Sequence, residues 1–168
     1  MSLKHIFLTA FLGASLAWTG CKKDEEPTPP TPPTVQLIIP GVGLTDLKIG
    51  DAAQKAIDLY GSVAPSFSSA GGQYTHFLTY FSKGVIVYCE QTTEATFNAQ
   101  MKIASIDLSS PFDAKTDKGI GIGSTKAEVK AAYGEPASSS DFFGDEYAIG
   151  ITFVYDDAGE KVESIEVE

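Results

Sequence analysis

The segment Lys118–Pro136, KGIGIGSTKAEVKAAYGEP, constrains the fold more than any other part of the chain. Ile120 and Ile122 alternate with glycine, which predicts a short strand at the start of the segment. Thr125 followed by Glu128 is the capping-box pattern that begins a helix. The glycine and the proline that close the segment are typical of a helix end. The segment therefore predicts a strand followed by a short helix that ends at Gly134.

A weaker copy of this segment lies earlier in the chain. Leu47–Gly61 aligns without gaps on Ile120–Gly134, and identical residues fall at the Ile-Gly entry and at the closing Tyr-Gly. Asp51 and Gln54 offer a second capping box. Because the identities lie where the predicted helices begin and end, we interpret the two segments as an internal duplication.

Strand patterns follow both predicted helices. Three strands are predicted after the first helix, from alternating residues at 74–81, an apolar run at 84–90 and a second alternation at 102–108. Alternation places Tyr74, His76, Leu78 and Tyr80 on one face of the first strand. The polar segment 91–99 is interpreted as a hairpin loop. The segments 147–155 and 161–168 predict strands after the second helix, and a turn signal separates them. Each unit is therefore predicted to be one short helix followed by about three antiparallel strands.

The intervening segments 62–73 and 137–145 are rich in small or polar residues and are interpreted as loops. A single unit of this size buries too little surface to be stable alone. The predicted fold class is α+β, with two helix-then-antiparallel-strands units packed as one sheet and both helices on one face. The units span about residues 42–110 and 118–168 of a single domain at 35–168.

Charge excludes one class of function. The chain has 168 residues and a net charge of −10, and it contains no arginine. Such a charge repels phosphate backbones and anionic lipid headgroups. Arginine is also the residue best suited to forked recognition of phosphate. We therefore expect no nucleic-acid partner.

The N-terminus has the pattern of a lipoprotein signal peptide, predicted at residues 1–20. Lys4 precedes an apolar run at Ile6–Leu16 that is too short to span a bilayer of ~30 Å. Trp18–Cys21 then resembles a lipobox, although Trp18 stands where leucine is usual. The alternative is an ordinary secretory signal with an unrelated cysteine. The favoured interpretation predicts lipidation at Cys21 and an anchor in the outer membrane of a bacterial cell envelope.

Residues 21–34 are predicted to form a tether. Lys22–Glu26 is charged, and Pro27–Thr34 is a proline-threonine run without apolar residues. Such a segment contributes nothing to a core and favours an extended polyproline conformation. The acidic cluster after the cysteine resembles a surface-export tag in some Gram-negative groups, and the alternative is a solvated spacer.

The helix segment resembles the signature of a known family. Its pattern is similar to G-M-T-x-x-[QE]-V-x-x-x-[LY]-G-x-P of the SmpA/OmlA family, the small lipoprotein of the outer-membrane β-barrel assembly machine. It is also similar to folds like that of β-lactamase-inhibitor protein. The matching residues are Gly123, Thr125, Glu128, Val129, Tyr133, Gly134 and Pro136. The resemblance implies a non-catalytic lipoprotein or protein-binding module, and its partners are not carried over, because this chain has two units and Ser124 replaces the methionine.

Residues that carry chemistry are few. His76 is the one histidine outside the predicted signal peptide, and Cys89 is the one thiol besides Cys21. His and Cys ligands are too few for a zinc site, and we expect no cofactor, no metal and no catalytic residue. The acidic turn Asp156–Glu160 is interpreted as solvated rather than as a calcium loop, whose ligand order it lacks. The glycines at 119–123 lack the spacing of a phosphate loop.

The expected function is that of an envelope-anchored lipoprotein acting as a non-catalytic binding module for a protein or a glycan. Its membrane contact is the lipid on Cys21. The candidate binding surface consists of the aromatic and imidazole side chains of Tyr74, His76, Tyr80, Phe142 and Phe143. The alternatives are a cell-envelope hydrolase with an unrecognised site and a structural subunit of an outer-membrane complex. A hydrolase requires a catalytic group around His76, Cys89 or paired acids.

Overall fold

The computed structural model describes residues 36–91 and 93–168, and these residues form one compact unit. The predicted signal peptide at 1–20, the tether at 21–34 and the predicted lipidation residue Cys21 lie outside the described residues. Within the described ranges, no helix is long and apolar enough to cross a membrane.

The described chain folds mainly into strands, with two α-helices of two turns each and one 3-10 turn at Phe81–Lys83. In chain order the elements are β1 (Leu37–Ile39), β2 (Gly43–Leu44), α1 (Ala53–Tyr60), β3 (Ser66–Ala70), β4 (Gln73–Tyr80), β5 (Val85–Gln91), β6 (Ser105–Ser109), β7 (Lys115–Thr116), α2 (Lys126–Tyr133), β8 (Ser138–Ser140), β9 (Gly144–Tyr147), β10 (Ile151–Tyr155) and β11 (Val162–Val167).

The strands form two sheets. Eight of them pair antiparallel throughout in the order β3-β4-β5-β6-β11-β10-β9-β8. A small sheet has the order β2-β1-β7, in which β1 pairs parallel with β7. The predicted fold class, α+β with two helix-then-antiparallel-strands units packed as one sheet and both helices on one face, is wrong. Over the described residues the fold is mostly β, with 42% in strands and 14% in helices including the 3-10 turn.

The error has a local cause. Segments 62–73 and 137–145 were interpreted as loops because serine and glycine are weak strand formers. In the structure they supply β3, β8 and the start of β9, since each strand completes its backbone hydrogen bonds on a neighbour. The small sheet was not predicted either, because its parallel pair joins Ile38 to Thr116 across a long stretch of sequence.

The core lies on one face of the large sheet. Residues in register across the strands alternate between the buried and the open face, as a pleated strand requires. The small sheet packs there too, because Gly43 of β2 approaches the side chain of Ile106 in β6. The largest fully buried side chains are Phe153, Ile38, Leu44, Leu47, Leu78, Ile103, Ile106, Leu108, Ile151 and Ile165.

The capping box of α2 is confirmed. The Glu128 backbone N–H donates to Thr125 Oγ1 at 3.2 Å, and the Thr125 N–H donates to Glu128 Oε2 at 2.7 Å. The helix ends at Gly134, where φ is +81°. The predicted entry strand is wrong, because residues 120–123 belong to no strand, a turn lies at 122–123, and the nearest preceding strand is β7.

The predicted capping box of α1 is also wrong. Asp51 Oδ2 accepts from the Lys48 N–H and from Lys55 Nζ, each at 2.8 Å, and it does not cap the helix. The first helical N–H groups instead donate to the main chain of the segment before β6: Ala53 N–H to Met101 O at 2.8 Å and Gln54 N–H to Ala99 O at 2.7 Å. These long-range carbonyls satisfy the donors that a local side chain was expected to satisfy.

The strand assignments at the centre of the sheet agree with the sequence. The predicted strands at 74–81, 84–90 and 161–168 correspond to β4, β5 and β11. The segment Val35–Ile39, interpreted as an edge strand or a docked tether, contributes the central strand of the small sheet. The central pair of the large sheet is β6 and β11, flanked by β5 and β10. The internal duplication stays a prediction.

Candidate functional site

An open cavity of about 460 Å³ lies where β3, β4 and the segment after β5 meet. We call it the aromatic pocket, and its volume lies within the ~300–1,000 Å³ of small-ligand sites. It is lined by Pro65, Phe67, His76, Glu94, Ala95, Thr96 and Phe97. Phe67 belongs to the outermost strand and is 47% exposed. The pocket therefore opens at the edge of the large sheet.

Aromatic contacts hold the pocket walls in place. The ring centroid of His76 lies 4.9 Å from that of Phe67 and 5.8 Å from that of Phe97. The ring of Tyr74 stacks on that of Phe67, with 6.4 Å between their centroids. His76 Nε2 lies 2.8 Å from the carbonyl oxygen of Ala95. Because a carbonyl only accepts, Nε2 is the protonated nitrogen, and this bond ties the segment after β5 to the sheet.

The structure separates the predicted binding residues. Tyr74 and His76 belong to the cluster around the aromatic pocket, on the face that alternation predicted, but only Tyr74 is partly exposed and His76 is buried at 6% exposure. Tyr80, on the same strand, is buried at 4% exposure and its ring lies 5.2 Å from that of Tyr60 in α1, so it is a core residue. Phe142 and Phe143 are 80% and 72% exposed at the turn between β8 and β9. The five residues therefore do not form one surface.

Cys89 lies directly opposite His76 in the β4–β5 register, a pairing that the sequence did not predict. The arrangement does not activate the thiol. Cys89 is fully buried, and burial raises its pKa to about 11. A cysteine nucleophile needs a lowered pKa, usually from a neighbouring imidazolium. His76 instead donates its Nε2–H to a backbone carbonyl.

The open face of the large sheet carries a pair of acids. Asp107 of β6 is directly opposite Glu166 of β11, and Oδ1 of Asp107 is buried without a hydrogen-bond partner among the described residues. Burial and the nearby Glu166 carboxylate raise the pKa of Asp107 to about 6. Burial also raises the pKa of Glu166, with smaller contributions from Glu168 and Glu90. Two like charges in one cross-strand pair oppose folding at neutral pH.

Asp107→Asn is expected to stabilise the protein at pH 7.5 and to change little at pH 3.5. The unfolded chain ionises Asp107 near its ordinary pKa of 3.8, whereas the folded chain does so near 6, so stability falls as pH rises through this range. Converted in full to free energy, this pKa difference corresponds to roughly 3 kcal/mol. The partial exposure of Asp107 to water reduces the expected gain in stability to about 1–2 kcal/mol. Urea denaturation at the two pH values measures the change.

Glu163→Gln is the matched control for this substitution. Glu163 lies on β11 as Glu166 does, but it is exposed. The substitution removes one negative charge, as Asp107→Asn does, but it does not relieve a buried acid pair. Its effect on the free energy of unfolding should therefore stay within ~0.5 kcal/mol at both pH values. Equal effects of Asp107→Asn at pH 3.5 and pH 7.5 would contradict the assignment of a raised pKa to Asp107.

The acidic turn after β10 is held by its own backbone. Asp156 Oδ1 accepts from the N–H groups of Glu160 and Lys161 at 2.9 and 3.2 Å. These bonds lower the pKa of Asp156. Over the ranges 36–91 and 93–168, no group of three or more His, Cys, Asp or Glu side chains is arranged to hold a metal ion.

Sequence reasoning missed two walls of the aromatic pocket. Phe67 lies in the serine-rich segment that was interpreted as a loop, and Phe97 lies in the predicted hairpin loop after β5. An isolated phenylalanine in such a segment carries no periodic signal. The one available indication was that both are large apolar residues in otherwise polar segments.

Comparison with known proteins adds no assignment. No protein-family profile, curated protein or solved structure matches the chain. The resemblance to the SmpA/OmlA family and to folds like that of β-lactamase-inhibitor protein stays a prediction.

Proposed function

We propose that this protein is an envelope-anchored lipoprotein whose domain is a non-catalytic binding module for a protein or a glycan. The aromatic pocket is its ligand site, and a lipid on Cys21 holds it at the outer membrane through the tether at 21–34. The observation that carries the proposal is the half-exposed Phe67, which stacks on Tyr74 and packs at a tilt against His76 beside an open cavity. Exposed, pre-positioned aromatic rings are typical of sites that bind apolar side chains or sugar rings.

The same geometry disfavours the hydrolase alternative. Of the groups that such a site would use, Cys89 is buried with a raised pKa and His76 is engaged by Ala95. The acid pair Asp107–Glu166 lies on the other face of the sheet from His76, away from the pocket. A hydrolase needs a nucleophile within reach of a base and open to substrate. The pocket presents carbon surface and one carboxylate, Glu94, which suits binding.

A structural subunit of an outer-membrane complex is the second candidate, and one observation favours it. Phe142 and Phe143 contact each other edge to face at 4.9 Å and remain largely exposed at a turn. Such a pair is typical of a contact with another protein. That turn does not line the aromatic pocket, so substitutions distinguish the two surfaces.

Processing at Cys21 is expected to leave a mature protein that begins with an acylated cysteine. The reason is the apolar run that ends at a lipobox-like sequence. Intact mass of the membrane-extracted protein measures it. Retention of residues 1–20, or an unmodified Cys21, would contradict the anchor without bearing on the pocket.

Phe67→Ala is expected to reduce ligand capture about tenfold or more, because it removes the exposed ring of the pocket. The acylated protein is immobilised and incubated with an extract of its native envelope, and the protein or glycan that it retains is identified. The affinity of each variant for that ligand is then measured by titration. Phe81→Ala is the matched control, since Phe81 is 84% exposed in the turn between β4 and β5 and does not line the pocket. Equal affinities of the two variants would contradict the pocket as the site, and a loss confined to Phe142→Ala would favour the second candidate.

A further inference from the structure

The strand β3 leaves one edge of the large sheet open. It pairs with β4 on one side, and within the described ranges no strand pairs with its other side. All five of its residues, SFSSA, are exposed. An edge strand presents unpaired N–H and C=O groups, alternately along its length, to any strand that approaches.

Proteins usually protect such an edge with charge, proline, a bulge or a very short strand. The opposite edge of this sheet is protected in that way, because β8 has only three residues. Charge lies beside it as well: Ser139 of β8 donates a hydrogen bond to the buried Asp145, and Lys126 Nζ lies 3.6 Å from the same carboxylate. In contrast, β3 contains no charged residue and no proline, and its pairing with β4 continues without a register shift. The edge that is left open is the one beside the aromatic pocket.

We propose that β3 binds an extended segment of a partner protein as an added strand, and that the aromatic pocket receives one of its apolar side chains. This inference rests on the proposed function and names the class of ligand for the same site. Backbone pairing supplies the affinity, and pockets for alternate side chains supply the specificity, as in other cases of strand addition.

The register of β3 places the pocket where an added strand can use it. Phe67 lies opposite His76, and Ser69 lies opposite Tyr74, so both side chains point to the face that carries the pocket. An added strand runs ~4.8 Å beyond β3, and every second side chain faces the same way. One such side chain packs against Phe67 and Pro65, and its neighbour two positions away passes over the small side chain of Ser69.

Charge selects the partner segment. The chain carries a net charge of −10 and no arginine, and Glu94 lines the pocket itself. An apolar segment flanked by lysine or arginine is therefore favoured over an acidic one. The same charge opposes pairing of β3 with β3 of a second copy, because two equally acidic chains repel each other.

The test uses a displayed library of random peptides selected against the full chain. We expect the selected peptides to alternate apolar and polar residues and to carry lysine or arginine. Bound peptide should slow hydrogen exchange of alternate amides in Ser66–Ala70 about tenfold or more, without a comparable effect in Ser138–Ser140. Phe67→Ala should lower the affinity for the peptide about tenfold, while Phe81→Ala should leave that affinity unchanged.

N-methylation of the selected peptide provides the matched control on the ligand. An added strand donates from every second N–H, so methylating one alternate set should abolish binding while methylating the other should not. Equal tolerance of both sets, a helical spacing of the selected side chains, protection at β8, formation of a dimer, or absence of any selected peptide would each overturn strand addition. If the envelope ligand proves to be a glycan whose capture still needs Phe67, the proposed function stands and this inference falls.

Discussion

Tyr133→Ala is expected to lower the free energy of unfolding by about 3 kcal/mol. The centroid of the Tyr133 ring lies 5.5 Å from that of Tyr147 and 5.4 Å from that of Phe153. Lys118 Nζ lies over the same ring, 4.4 Å from the Tyr133 centroid. Removing the ring leaves a cavity over Phe153, which is fully buried. The side chain is only partly buried, so the loss falls toward the lower end of the ~3–5 kcal/mol seen for buried aromatic residues.

Two substitutions separate packing from other causes. Tyr133→Phe keeps the ring contacts and should retain most of the stability. Lys130→Ala, one turn earlier on the exposed face, removes only a surface pair with Glu135 at 2.9 Å and should be indistinguishable from the parent protein. Urea denaturation followed by far-ultraviolet circular dichroism compares the midpoints. Equal midpoints for Tyr133→Ala and Lys130→Ala would mean that α2 does not pack on the sheet through Tyr133.

A loss of ~3 kcal/mol would be a large part of the total, since domains of this size have ~5–15 kcal/mol of stability. The consequence extends beyond α2. Phe153 lies in β10 next to the central strand β11, and Tyr147 OH donates to Gly134 O at 3.2 Å. The cluster therefore joins the end of the helix to β9 and β10.

Elements encoded by nearby residues could be predicted from the sequence. The capping box of α2 spans four residues and its stop is a single glycine, and each is present in the structure. Alternation also predicted correctly that His76, Leu78 and Tyr80 share one face of β4. Helix caps and pleated strands depend on residues a few positions apart, so their signals are visible without knowledge of the fold.

Elements that depend on distant partners could not be predicted. The N-terminus of α1 is capped by the carbonyls of Ala99 and Met101, and β1 has its parallel partner in β7, which is distant in sequence. For β3 and β8 the strand conformation comes from pairing rather than from serine, whose own strand preference is weak. These additions convert the predicted α+β arrangement into a mostly β fold.

For the same reason, only part of the candidate site could be predicted from the sequence. Alternation places Tyr74, His76 and Tyr80 on one face, but it does not say which end of that face is covered. In the structure α1 covers the Tyr80 end through Tyr60, while the Tyr74 end continues into the aromatic pocket. Phe67 completes the pocket from a strand that the sequence pattern did not indicate.

Gly84→Ala is expected to lower the free energy of unfolding by roughly 2–4 kcal/mol. Gly84 follows the 3-10 turn with φ at +66°, a conformation that costs a residue with a side chain ~1 kcal/mol. A Cβ at this position would also meet backbone atoms: it would overlap Ser109 O and lie 2.8 Å from Phe112 N. Relief requires moving the β4–β5 turn away from the end of β6, and overpacking of this kind costs a further ~1–3 kcal/mol.

Gly159→Ala isolates the backbone contribution. Gly159 has φ at +70°, close to that of Gly84, but an added Cβ would meet nothing within 4 Å. It should therefore cost only the ~1 kcal/mol of the left-handed conformation. The difference between the two midpoints in urea denaturation measures how tightly the turn is held against residues 109–112, where Ser109 N–H donates to Gly84 O at 2.9 Å. If the two variants lose equal stability, the β4–β5 turn does not rest on the end of β6, and the central register of the sheet would have to differ from the one described.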